Sequence, residues 1–178
     1  MEKTLVRSRE FANIALIDGQ NLYLGTKKAG WIVDYRKLRV YLRDKYHIGE
    51  AHYFLGYRSG NYEGMYAKLE QSGFTLSFRE HSGELRGNKK GNVDCDIVFN
   101  AMKRLVEKEE FGKIFLISGD GDYKRLVDFL IEKGRFGKML FPNMQFTSSL
   151  YMNLRRGNEH FDYLEKREIR SKIEFFRK

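Results

Sequence analysis

The chain has 178 residues but one cysteine, one proline and four histidines. A single cysteine, Cys95, excludes an intramolecular disulfide. His47, His52, His81 and His160 stand at no zinc-binding spacing from it, which removes a Cys/His zinc centre from consideration. No apolar run approaches membrane-spanning length, and the start, MEKTLVRSREF, has charges without the apolar stretch of a signal peptide behind them. The expectation is a cytoplasmic protein in a reducing setting, with no membrane partner. No internal repeat, low-complexity stretch or interdomain linker interrupts the chain, so residues 1–178 read as one domain, long enough to bury a proper core.

What is abundant is positive charge. Lys+Arg number 33 against 24 Asp+Glu, a formal net charge of +9, which suits association with phosphate-rich partners and carries no information about fold. Against that background, clustered acids stand out.

The stretch from Ile114 to Gly134 is the most informative. An apolar run, Ile114 to Ile117, breaks at Ser118-Gly119-Asp120-Gly121-Asp122, after which Leu126, Val127, Leu130 and Ile131 recur at helical spacing. Strand, glycine-rich turn and helix form the unit of a parallel α/β sheet, whose ligands sit at the carboxyl ends of the strands. One Asp is enough to cap a helix and complement its dipole. A second raises the alternative of a hard divalent cation held by oxygen ligands. The same logic appears at Asn13 to Ile17, which stops at Asp18-Gly19, although Asp-Gly is also a common turn. It recurs at Asp94-Cys95-Asp96 before the helical face Ile97, Val98, Ala101, Met102, Leu105 and Val106, with Asp94 read as an N-cap and Cys95 as a packed thiol.

Elsewhere, a short helix or loop is predicted over 23–31 and a helix over 35–46 capped by Asp34. A strand over 51–57, a helix over 62–72 closed by Gly73, and a strand over 74–78 follow. A fifth strand is predicted over 138–141, a turn at Pro142-Asn143, a helix over 146–154 and an amphipathic terminal helix over 163–177. The sequence leaves open whether that last helix packs on its own domain or on a second subunit, as in a homodimer. The alternation of strands and helices argues for βαβ units in a mainly parallel five-stranded sheet. Residues 81–93 are polar, glycine-containing and basic, either a solvated loop or a nucleic-acid contact through Arg86, Lys89 and Lys90.

Three segments, IALIDGQNLY (14–23), KKGNVDCDIVFNAM (89–102) and FLISGDGDYKRLV (115–127), together resemble the NYN domain, the LabA-like branch of the PIN-like nuclease superfamily. The resemblance covers about residues 12–164. It implies a three-layer α/β/α sandwich with Asp18, Asp94, Asp120 and Asp122 as catalytic, metal-binding residues. Asn21, Ser118 and Asp96 would support them, and Asn100 stands where the family often has a further acid. It also implies a ribonuclease that hydrolyses RNA with Mg²⁺ or Mn²⁺, or a related RNA-binding module without turnover. An aspartyl phosphotransfer protein is a weaker alternative, because its Asp-x-Asp pair follows the first strand and this one follows the fourth.

Arg86, Lys89, Lys90, Lys124, Arg125, Arg155 and Arg156 are the candidate contacts to a single-stranded RNA backbone. Tyr23 and Tyr123 are candidates for base stacking, although large aromatics more often fill the core. If the basic loop touches RNA, replacing Lys89 and Lys90 by Ala weakens binding and lowers the slope of log affinity against log salt by about 1–2. Unchanged affinity and slope in a salt titration would remove the loop from the binding surface.

Overall fold

The computed structural model describes residues 11–79, 93–156 and 159–176. At its centre is β1 (Asn13–Asp18), in which Ile14, Ala15, Leu16 and Ile17 are all essentially inaccessible to solvent. A strand buried on both faces has no polar side to show, which is why it reads as a continuous apolar run. Around it lie β2 (Ile48–Leu55), β3 (Thr75–Phe78), β4 (Ile114–Ile117), β5 (Phe136–Phe141) and β6 (Phe161–Tyr163). The order across the sheet is β3-β2-β1-β4-β5-β6, and every pairing is parallel.

Helices cover both faces. Ala15 and Ile17 point into a core with Leu22 of α1 (Gly19–Lys28), Leu38 and Leu42 of α2 (Tyr35–Tyr46) and Leu69 of α3 (Glu63–Gln71). Ile14 and Leu16 point the other way, to Ile97 and Ala101 of α4 (Asp94–Val106) and Leu126, Val127 and Leu130 of α5 (Lys124–Glu132). The alternation of successive side chains along β1 thus divides the interior into two cores and makes the three layers expected from the resemblance.

Several boundaries differ from the sequence reading, each for a physical reason. Six strands are present among the described residues instead of five. β6 has three residues, too few to show a period, and is held by pairing Met139 through Phe141 with Phe161 through Tyr163. That pairing shortens the terminal helix to α7 (Arg167–Ile173). The helix expected over 146–154 is reduced to a 3₁₀ turn, Ser149–Tyr151, and α6 (Met152–Arg156). Asn143 keeps the preceding segment looped: its Oδ1 accepts from the Phe146 amide at 2.8 Å, and its carbonyl accepts from Thr147 Oγ1 at 2.7 Å. Asp34 caps α2 as expected, through the Lys37 amide at 3.0 Å, and Gly73 follows α3 at φ +91°, a conformation that favours glycine. Asp94 is not an N-cap: Val93 takes that position, and Asp94 is the first helical residue with its carboxylate turned to another task.

The terminal helix packs on its own chain. Ile169 and Ile173 enter the α2-side core, the Asp34 amide donates to the Ile173 carbonyl at 2.8 Å, and Lys37 Nζ donates to the Glu174 carbonyl at 2.9 Å. Ile173 has no exposed surface. Ile173→Ala is therefore expected to cost about 2–5 kcal/mol through a cavity under α2, measured by urea denaturation. A cost below about 1 kcal/mol would mean that α7 docks loosely.

Candidate metal centre

The sheet order places the chemistry. From β1 the chain runs outward to β2 and β3, then crosses back to β4 on the other side of β1. The loops leaving the carboxyl ends of β1 and β4 therefore diverge and leave a crevice, the point where such sheets bind ligands. Asp18 is the last residue of β1, and Ser118-Gly119-Asp120 follow β4 directly.

Local hydrogen bonds hold each group. Asp18 caps α1, its Oδ1 accepting from the Asn21 amide at 2.9 Å. Asn21 in turn accepts the Gly119 amide on its Oδ1 at 2.7 Å, tying the β1 loop to the β4 loop. Buried Ser118 accepts from the Asp120 amide at 3.1 Å, Asp120 Oδ1 accepts from the Asp122 amide at 3.1 Å, and Tyr151 donates to the Asp120 carbonyl at 2.6 Å. A β-carbon on Gly121 would lie 2.5 Å from Ser148 Oγ, so that turn admits only glycine without displacement. Asp94, on the first turn of α4, meets the same crevice from the opposite layer.

Tyr123 joins the two layers. Its hydroxyl is 2.5 Å from Asp94 Oδ1 and 3.3 Å from Asp18 Oδ2, and the residue is 1% exposed. A base-stacking role is thereby excluded, and the core reading is incomplete: the ring packs in the core while the hydroxyl positions two acids. A buried tyrosine needs a partner for its hydroxyl, and that rule, applied beside Asp122, could have singled it out.

Carboxylate oxygens of Asp94, Asp120 and Asp122 lie within 4.8 Å of one another. All donors are hard oxygens, and a partly exposed trio leaves room for water, which fits a divalent cation of the Mg²⁺ or Mn²⁺ type. Asp18 stands behind the trio. Burial, followed by the neighbouring Asp94 and Asp120 charges, pushes its carboxyl up to about 6, while the Asn21 amide and Tyr123 hydroxyl pull the other way. Burial first, then the Asp18 charge, also raises the Tyr123 hydroxyl above its ordinary range, so it remains a donor.

The acids line an open cleft of about 440 Å³. The same cleft is lined by Lys28 and Phe146, with Lys28 Nζ 4.1 Å from the Phe146 ring centre, and by Gln20 and Leu24. Neither Lys28 nor Phe146 was among the sequence candidates, because nothing local marks a helix-end lysine and a loop aromatic as neighbours. Of the residues that were, Asp18, Asn21, Asp94, Ser118, Asp120 and Asp122 come together. Asp96 does not: it faces a separate cleft with Phe54 and Phe99. Lys124 is paired with Asp128 on α5, Arg125 is exposed, and Arg155 and Arg156 end α6. Arg86, Lys89 and Lys90 lie outside the described residues. Cys95 is exposed, not packed, since the buried face of α4 runs through Ile97 and Ala101.

Fold and site together define a parallel α/β protein with a carboxylate cluster suited to a divalent cation at its switch point. Residues 13–153 match the NYN domain, and the chain belongs to that family. It is 29% identical over 126 residues to the low amplitude and bright protein LabA of Synechococcus elongatus, an alignment covering 66% of each chain. The chain thus spans just under two thirds of that relative's length. In fold it is similar, at a TM-score of 0.72 and 20% identity, to a protein of unknown function from Vibrio parahaemolyticus, covering 96% of this chain and 100% of the other. Family membership agrees with the NYN resemblance of the three segments. Among the described residues, no helix is long and apolar enough to cross a membrane.

The raised Asp18 value has a consequence for stability. A carboxyl that titrates at 3.8 when unfolded and at about 6 when folded binds its proton more tightly in the native state. Its stabilising contribution is complete below pH 4 and is lost as pH rises through 6. Asp18→Asn removes that loss. In EDTA, the variant is expected to gain on the wild type by up to about 3 kcal/mol between pH 4 and pH 7, measured by urea denaturation. A difference that does not change with pH would contradict the burial of a charge there.

Proposed function

We propose that the protein is a metal-dependent ribonuclease that hydrolyses phosphodiester bonds of single-stranded RNA in the cytoplasm, using Mg²⁺ or Mn²⁺. The observation that carries this reading is the convergence of Asp94, Asp120 and Asp122 oxygens within 4.8 Å in the lining of an open cleft. These three residues would hold the ion, with Asp18 adjoining them through Tyr123. A bound ion of this kind lowers the pKa of a coordinated water and neutralises charge on phosphoryl oxygens.

The remaining work belongs to the chain. Asn21, Ser118 and Tyr151 fix the Asp120 loop, so the acids are placed before substrate arrives and little reorganisation is needed. Tyr123 directs its proton to Asp94 and keeps that carboxylate facing the crevice. Lys28 puts a positive charge in the same cleft, where a phosphate would meet it, and the Phe146 face beneath it offers an apolar surface to a sugar or base. Arg125 and the terminal arginines of α6, with Arg86, Lys89 and Lys90, are the groups assigned to the flanking backbone.

The test is cleavage of end-labelled single-stranded RNA and DNA by wild type and Asp120→Asn, in EDTA, Mg²⁺ or Mn²⁺, with a thermal scan under each condition. Expected are metal-dependent RNA cleavage that falls at least 100-fold in the variant, and a rise in the wild-type melting temperature with millimolar metal. Equal residual activity in both proteins would indicate a contaminant. Metal-sensitive RNA binding without cleavage would transfer the reading to an RNA-binding module of the same family.

A further inference from the structure

The carboxyl edge of the sheet carries a second cleft beside the acid cluster. Phe54, near the end of β2, is the register partner of Asp18 across the β1–β2 pair, so its backbone lies about 4.8 Å away, one strand spacing. The cleft has a volume of about 440 Å³ and is lined by Phe54, Phe78, Arg79, Asp96, Phe99 and Asn100. The first turn of α4 forms the wall between the two clefts. Asp94 faces Tyr123 on one side, and Asp96, two residues and about 200° further round the helix, faces the other.

The lining chemistry differs from that of the acid centre. Phe54 is buried and forms floor. The Phe78 ring is already in contact with Tyr66, 4.9 Å between centres, and with the Arg58 guanidinium at 5.3 Å. Phe99 is different: it is 68% exposed on a helix whose other face is packed, and it presents an aromatic surface to the opening. Beside it, Asp96 makes no hydrogen bond or ion pair with the described residues. Asn100 Oδ1 is held at 3.1 Å by Arg104 Nε, which fixes the amide against the cleft. An open ring, an acceptor without a partner and an oriented amide are the groups by which proteins bind an unstacked nucleobase.

We infer that this cleft is a base-binding subsite for single-stranded RNA, in which the Phe99 ring stacks on the base and Asp96 accepts from its hydrogen-bond donors. The inference rests on the ribonuclease reading above. It places the base in the second cleft and the adjoining phosphate at the acid cluster, with the start of α4 between them. A carboxylate with two oxygens matches the paired N1–H and N2–H donors of guanine. It is repelled by the carbonyl oxygens that flank the single N3–H of uracil, so guanine is preferred at this position. Duplex RNA, whose bases remain stacked, does not enter.

The experiment is a fluorescence-anisotropy titration of labelled single-stranded and duplex RNAs in Mg²⁺, with Asp120→Asn as parent so that turnover does not consume the probe. Phe99→Ala is expected to weaken single-strand binding about 5- to 100-fold and leave duplex binding unchanged. Phe99→Trp retains binding, and Asp96→Asn loses the preference for guanine-containing over uracil-only strands. The exposed position of Phe99 keeps the melting temperature near that of the parent, so lost binding is not lost folding. Single-strand affinity of Phe99→Ala within twofold of the parent would overturn the subsite and leave the ribonuclease reading standing. A parent and a wild type that bind no single-stranded RNA would overturn both.

Discussion

The site depends on how one tyrosine hydroxyl and its surroundings hold four carboxylates that repel one another. Two like charges about 4.8 Å apart near a protein surface oppose each other by roughly 3–4 kcal/mol, which exceeds the net worth of one hydrogen bond to a charged group, about 1.5–3 kcal/mol. Tyr123 has a single proton to share between two acids, its hydroxyl 2.5 Å from Asp94 Oδ1 and 3.3 Å from Asp18 Oδ2. Asp18, buried behind the trio, meets the same difficulty by holding its own proton more tightly. A divalent cation would relieve the repulsion in a cluster so arranged.

The scaffold supplies the rigidity that this repulsion demands. Strands β1 and β4 are buried on both faces and cannot shift without disturbing two cores. The crevice they frame is closed by few contacts, of which the Asn21 to Gly119 bond and the Tyr151 to Asp120 bond are the most direct. Family position fits this division. The matched region, residues 13–153, contains every acid of the site and both loops, and it ends before β6 and α7, which complete the sheet and brace α2.

The assignment of roles along α4 shows how tertiary placement divides a short acidic stretch. Asp94 and Asp96 are indistinguishable as first-turn acids, both favoured by the helix dipole. Two helical steps, about 200°, send one to the acid centre and the other to an aromatic cleft. The expected cap at Asp94 failed for the same reason, since a carboxylate engaged by Tyr123 is not available to its own helix.

Much was legible in the sequence because it depends on local pattern. Apolar runs that stop at an acid marked the ends of β1 and β4, helical spacing marked α4 and α5, and the alternation of the two implied a mainly parallel sheet, to which the family resemblance added the three layers. Those patterns marked acids at three places, and the resemblance to the NYN domain joined Asp18, Asp94, Asp120 and Asp122 as one set. Strand order, the packing of α7 on α2, the bond from Tyr123 to two acids, and the meeting of Lys28 with Phe146 were not legible. Each joins residues from 29 to 137 positions apart, and no period or turn in the chain records which distant groups will touch. Only the completed sheet decided that, by fixing which loops share an edge and which helices share a face.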